Sequence, residues 1–157
     1  STLHTIDAKE TIGRIVGMFP GNEQNRIKMS LASVLQGILA QRLVRTRDGV
    51  RTAAIEVLVK NARIEALILE GRETEIPDAL KEGKEVYKSQ TFDQCLLGLY
   101  ADGRISRDEA LNAATSRNDL VMALDFYDAD LGQREIRNVQ QEGKKVVFDQ
   151  DIISLKK

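Results

Sequence analysis

The feature that most constrains this chain is how little of it can be β-sheet. One stretch has the period of strands rather than helices: Leu43-Val44, then Arg45-Thr46-Arg47-Asp48-Gly49, then Thr52 to Val59. Asp-Gly supplies the positive φ that a tight hairpin turn requires. In the second run Ile55, Val57 and Val59 fall on one face and Ala54 and Leu58 on the other. That pattern predicts burial on both sides, as in the middle of an α/β sheet. Two or three strands cannot form an independent parallel sheet with both faces covered. Either the sheet pairs with another copy of the chain, or the rest of it lies elsewhere.

Helical signals fill most of what remains. Asp7 is placed to cap a helix, with Glu10 three residues on, and Ala8, Ile12, Ile15 and Phe19 recur at helical spacing until Pro20-Gly21. A longer helix is predicted from near Asn22, its stripe running through Ile27, Leu31, Val34, Leu35, Ile38 and Leu39. Asn61 caps a helix carrying Ile64, Leu67 and Ile68, closed by Gly71. Thr74 is expected to cap the next, with Pro77 in its first turn. Thr91–Gln94 and Ser106–Glu109 read as capping boxes, the first leading into Cys95, Leu96 and Leu99 and stopped by Gly103. A last helix is expected over Asn118–Leu124. Past Asp125 the sequence is polar, with Val146-Val147-Phe148 as a candidate short strand. The expected architecture is α/β: a truncated α/β piece over residues 1–60, a small helical bundle over 61–125, and a tail over 126–157 with no assigned role.

Composition narrows the function. Of 157 residues, 23 are Lys or Arg and 24 Asp or Glu, giving a net charge of -1. Near-neutrality argues against nucleic acid as a partner, because counterion displacement needs a basic face. One His and one Cys exclude a disulfide scaffold and a Cys/His zinc site. Aromatics at 4% without Trp leave little for base stacking. No apolar run approaches the roughly 20 residues of a transmembrane segment. Thr2-Leu3-His4-Thr5 is no signal core, and the chain lacks an initiator Met, so it is expected to begin partway through a longer protein.

Candidate chemistry is sparse. A phosphate loop needs G-x-x-x-x-G-K-[ST], and the Gly-Lys pairs here continue as Gly83-Lys84-Glu85 and Gly143-Lys144-Lys145. His4 precedes a capped helix at a plausible strand end, where a histidine can contact phosphate or relay a conformational change. An exposed histidine without a role fits the same spacing. Cys95 reads as a small core hydrophobe. Arg42, Arg45, Arg47 and Arg51 cluster about the hairpin, either as solvated edge protection or as residues reaching a nucleotide phosphate on the same or a neighbouring subunit, with Arg42, Arg45 and Arg51 as the candidates. Glu65, Glu70, Glu73, Glu75, Asp78 and Glu82 make an acidic stretch, a solvated face or a docking surface.

The ordered segments resemble a known family. Thr2-Leu3-His4-Thr5, Ala8–Ile12, Arg14-Ile15 and Phe19-Pro20 are similar to the histidine box and following helix of type IV pilus retraction (twitching-motility) ATPases. Leu31–Val44, Arg51–Leu58, Gln90–Gln94, Gly103–Ser106 and Glu109-Ala110 match later segments in order, over about residues 1–120. The resemblance implies the C-terminal portion of a RecA-like P-loop ATPase core followed by a small helical subdomain. It implies a cytoplasmic hexameric motor at the bacterial inner membrane, working with ATP and Mg on a pilus platform protein and coupling hydrolysis to pilus disassembly. The phosphate loop and acidic metal-binding box would lie upstream of Ser1, so the 157-residue chain is expected to be inactive alone. His4 would be the nucleotide-sensing histidine. The family's motor motif A-I-R-N-L-I-R-E corresponds to Arg63–Glu70: Ile64, Leu67, Ile68 and Glu70 match, while Glu65, Ala66 and Leu69 depart. The related extension and type II secretion ATPases carry a four-cysteine zinc subdomain, which a single Cys95 cannot build. A non-catalytic helical interaction module with a vestigial motor likeness is the competing reading.

Overall fold

The computed structural model of the protein describes residues 2–133. Its elements are α1 (Ala8–Gly17), α2 (Gly21–Val34), β1 (Gly37–Arg45), β2 (Arg51–Val59), α3 (Ala62–Glu70), a 3₁₀ turn (Glu73–Glu75), α4 (Ile76–Glu82), α5 (Lys84–Tyr87), α6 (Phe92–Ala101) and α7 (Arg107–Ala113). Residues 117–133 form a further helix, α8, which runs well past the expected end at Leu124. The chain divides into two compact units, Ser1–Arg117 and Asn118–Lys157. In the second, Leu120 and Leu124 are buried and Met122 and Phe126 exposed. The expected strand at 146–148 and most of the tail lie outside the described residues.

The strands form one antiparallel hairpin, with Gly37 opposite Val59 and Arg45 opposite Arg51. Gly49 supplies the turn with φ +86°, and the Thr46 N–H donates to the Val50 carbonyl at 2.8 Å. β1 begins at Gly37, so the helical stripe predicted as far as Leu39 is cut short at Val34. A short apolar run fits either period, and pairing settled it. A Cβ at Gly37 would lie 2.8 Å from the Leu58 carbonyl oxygen, so only glycine permits this approach.

Burial falls on one face of the hairpin. Ala54 and Leu58 are buried, whereas Ile55 is 37% exposed and, on β1, Leu39 is 76% and Leu43 60% exposed. The expectation of burial on both sides is therefore corrected for the described residues, because helices pack over one side of a sheet only two strands wide. The β2 edge is closed by other means. Val57 and Gln90 exchange backbone hydrogen bonds at 2.8 and 2.9 Å, the Gln90 Nε2 donates to the Ile55 carbonyl, and the Ile55 and Val59 N–H groups donate to Cys95 Sγ and Ser89 Oγ. Cys95 is thus half-buried and used as an edge acceptor rather than as core filler.

The core gathers Ala8 and Ile12 from α1, Ala32 from α2, Leu58, the α3 residues Ile64, Leu67 and Ile68, and Ile76, Ala79 and Leu80 from α4. In α1 the buried face is Ala8, Thr11, Ile12 and Val16, so the stripe rotates away from the predicted Ile15 and Phe19. α3 ends as its glycine suggests: Gly71 has φ +72°, its N–H reaches the Ile68 carbonyl, and the Arg72 N–H reaches that of Leu67. Thr91 and Gln94 form a reciprocal capping box on α6. Two expected caps differ. Thr74 lies within the 3₁₀ turn and caps nothing, and α4 starts with Pro77 in its first turn. Ser106 accepts from the Glu109 N–H, but the Glu109 carboxylate leaves its own helix and accepts from the Arg45 N–H on β1 at 2.7 Å. A partner 64 residues away outcompeted the local bond.

Candidate functional site

His4 sits in an extended segment that side chains tie to α1. Its carbonyl accepts from Arg14 Nη1 at 2.9 Å, Thr5 and Thr11 hydroxyls meet at 2.7 Å, and the Ile6 N–H donates to Glu10 Oε2 at 2.8 Å. Asp7 caps α1 by accepting from the Glu10 N–H at 2.7 Å. Glu10 therefore reaches back to Ile6, one residue earlier than a capping box would. The imidazole itself is exposed. The segment holds its backbone in place and presents the ring to whatever approaches, which suits a contact or sensing role better than a buried acid or base.

Beneath this segment lies a residue the sequence reading passed over. Glu56, in the middle of β2, is only 6% exposed. Its Oε1 accepts from the Ala8 N–H at 2.9 Å, at the first turn of α1, and the Phe92 N–H at the first turn of α6 is near enough to favour its charged form. One carboxylate thus satisfies an orphan donor of α1 and faces the positive end of both helix dipoles. Burial raises its carboxyl above the ordinary glutamate value, with Asp7 pushing the same way, while the Ala8 N–H, Arg42 and the Phe92 N–H hold it down. Its position within the otherwise apolar run Ala53–Val59, opposite Ala40, was the available signal.

The arginines separate into two groups. Arg42 points inward: its guanidinium lies 3.9 Å from the Phe92 ring centroid and donates from Nη1 to the Ala113 carbonyl at 3.1 Å and to Thr115 Oγ1 at 2.9 Å. It is a strut between the sheet and the helical part, with Nη1 engaged by both acceptors. Arg45 and Arg51 are exposed and face each other across the mouth of the hairpin. The structure also brings up Arg104, 52 residues from Thr52 in sequence, whose Nη2 donates to the Thr52 hydroxyl at 2.7 Å. Nothing local in the sequence could pair it with the hairpin.

In the motor-motif helix, Ile64, Leu67 and Ile68 are at most 3% exposed and belong to the core, so no partner can touch them. Glu70 is outward and pairs with Arg72 at 2.7 Å. Arg72 also grips Glu75 in two parallel bonds of 2.6 and 2.7 Å, which holds the Glu75 carboxyl below its ordinary range. Arg63 pairs with Glu82 and Lys60 with Glu65. Four members of the acidic stretch are therefore paired with three cations of the chain itself, which favours the solvated-face reading over a docking surface. Among the described residues no cluster of three or more His, Cys, Asp or Glu could hold a metal, and no helix is long and apolar enough to cross a membrane.

Comparison with known proteins gives consistent matches. The family model described as Type II/IV secretion system protein matches residues 1–154. The type IV pilus ATPase PilU of Pseudomonas aeruginosa is 40% identical over 121 residues, 76% of this chain and 31% of that protein. The type IV pilus retraction ATPase PilT of the same organism is 37% identical over 113 residues, 72% of this chain and 33% of that protein. The crystal structure of the pilus retraction motor PilT with bound ADP superposes with a TM-score of 0.65 at 35% identity, covering 74% of this chain and 32% of that one. The chain thus spans about a third of the length of the relatives it matches, and its mixed helix–sheet fold is similar to the corresponding part of the PilT ATPase.

Proposed function

Because the chain belongs to the Type II/IV secretion system protein family, among the type IV pilus retraction ATPases, we propose that it supplies the C-terminal part of a hexameric pilus motor. In this reading residues 1–60 end a RecA-like core and 61–125 form its helical subdomain. ATP binding and hydrolysis between subunits drive rigid-body movement that withdraws pilus subunits through a platform protein at the cytoplasmic side of the inner membrane. The work is phosphoryl transfer governed by positioning and charge, coupled to domain motion.

The observation that carries the reading is the exposed His4 on a segment strapped to α1 by Arg14, Thr11 and Glu10. Such a histidine can meet a terminal phosphate and pass its presence to α1, and through Glu56 to α6. Arg45 and Arg51 stand ready for phosphate on a neighbouring subunit, while Arg42 serves as the strut already described. In this reading, as the family resemblance implies, Mg and most contacts to ATP fall to residues outside this chain. The outward face of α3, with Glu65, Ala66, Leu69 and Glu70, is the part of the motor motif that a partner can read, held in place by Ile64, Leu67 and Ile68.

The test is hydrolysis. The 157-residue chain alone is expected to turn over no ATP, and in a longer chain carrying an upstream phosphate loop, His4→Ala should depress turnover without loss of fold. Normal turnover by the 157-residue chain, or an unchanged rate in the variant, would overturn the assignment.

A further inference from the structure

The tip of the hairpin and the turn between α6 and α7 together enclose a cleft of about 380 Å³. Arg47 and Arg51 line it from the hairpin and Arg104 from the turn, with Asp48, Thr52 and Gly103 between them. The two walls are bonded to each other. The Arg47 N–H donates to the Arg104 carbonyl at 2.9 Å, Arg47 Nε to the Ile105 carbonyl at 3.3 Å, and Arg104 Nη2 to Thr52 Oγ1 at 2.7 Å. Gly103, at φ +70°, turns the chain so that Arg104 faces the hairpin. Arg47 and Arg104 are therefore held by backbone and side-chain bonds, and Arg51 stands exposed beside them.

Their charge is only partly balanced. Among the described residues Asp48 is the one acidic residue lining the cleft; its carboxylate accepts from the Thr46 hydroxyl and lies within the field of Arg104. Among the described residues, no ion pair involves Arg47, Arg51 or Arg104. Arg51 has no side-chain hydrogen bond there either. Three guanidinium groups against one engaged carboxylate leave a concentrated positive site on a chain whose net charge is -1. Guanidinium groups contributed by two loops to one cleft suit the oxygens of phosphate, and several of them together favour a ligand with more than one phosphate.

We propose that this cleft, built by Arg47, Arg51 and Arg104, binds a polyphosphate group. Binding stands on the cleft itself and rests on the function proposed above only for the source of the phosphate, a nucleotide rather than a free polyphosphate. Of the arginines expected from sequence, Arg51 lines this cleft while Arg42 and Arg45 do not, and Arg47 and Arg104 line it as well.

The experiment titrates the 157-residue chain with tripolyphosphate at low ionic strength, followed by amide NMR shifts and calorimetry. Saturable shifts confined to residues 46–52 and 103–105, weakened as salt is added, are expected. Arg51→Gln, which breaks no bond in the fold, should weaken binding at least about tenfold, the loss of one charge-assisted contact. Arg26→Gln, on α2 and remote from the cleft, should leave it unchanged. ATP binding tighter than tripolyphosphate identifies a nucleotide as the source, and equal or weaker binding identifies the polyphosphate itself; adenosine should not bind here. Absence of saturable shifts, shifts only elsewhere, or full binding by the Arg51→Gln chain would overturn the proposal. None of these outcomes depends on ATP hydrolysis, so the cleft and the motor assignment can fail separately.

Discussion

Replacing Glu56 is the most informative perturbation of this fold. Its carboxylate accepts from the Ala8 N–H at 2.9 Å at the start of α1 and lies beside the start of α6 at Phe92. In Glu56→Ala the Ala8 donor loses its acceptor inside a site that is only 6% exposed, and the first turn of α6 loses a facing negative charge. An orphaned buried donor costs about 1–3 kcal/mol, and a carboxylate lost from a helix start about 0.3–1 kcal/mol. Removing a desolvated charge offsets part of this, so the net destabilisation should be about 1–3 kcal/mol. With a urea slope near 2 kcal/mol/M, the unfolding midpoint should fall by about 1 M. Glu56→Gln keeps a carbonyl oxygen for the Ala8 donor and carries no charge, and should stay within about 1 kcal/mol of the native chain at neutral pH.

The pH dependence separates the two variants further. The Glu56 carboxyl is raised above its ordinary value of 4.5, foremost by burial, so the folded chain holds this proton to higher pH than the unfolded chain does. The stability it contributes is complete below the ordinary value and is lost as pH rises through the folded one. Urea unfolding followed by circular dichroism at about pH 5 and about pH 7.5 should show native stability falling relative to Glu56→Gln between the two. Taking the difference cancels the opposite contributions of Asp48 and Glu75, whose carboxyls are lowered by the Thr46 and Arg72 hydrogen bonds. A Glu56→Ala midpoint within about 0.3 M of native, or a pH-independent difference from Glu56→Gln, would refute the view that a buried carboxylate joins the two helices.

Two further changes test the same frame. Arg42→Lys should cost about 1–2 kcal/mol by denaturant melting, because a point-charge ammonium cannot both cover the Phe92 ring and reach Ala113 and Thr115; a neutral result would mean the strut is dispensable. Gly71→Ala should cost about 1–2 kcal/mol, since φ is +72° there and a Cβ would meet Lys28 Nζ at 2.5 Å, displacing that flexible side chain; the same melts read it.

Much of the local structure was legible because its causes are local. Asn61 and Gly71 bracket α3, Thr91 with Gln94 starts α6, and Asp48-Gly49 turns the hairpin, each through bonds spanning a few residues. The family resemblance was legible too, since it lives in the order of short segments. Where the reading went astray, a distant partner was the reason. Val34 to Leu39 carried a helical stripe until pairing with Val57–Val59 claimed the residues from Gly37 on. Glu109 looked like half of a capping box until the Arg45 N–H offered it a bond from another element.

The candidate site shows the same division. By itself the sequence determined which groups are available: one histidine, one cysteine, a set of arginines about a turn and no phosphate loop, because composition and motif spacing are properties of the chain alone. Only the tertiary structure decided their roles. It turned Arg42 inward onto Phe92, buried Glu56 between two helix starts, made Cys95 an edge acceptor, and set Arg104 beside Arg47 and Arg51. Each of those outcomes depends on donors and acceptors dozens of residues apart satisfying one another, and no local pattern encodes that choice.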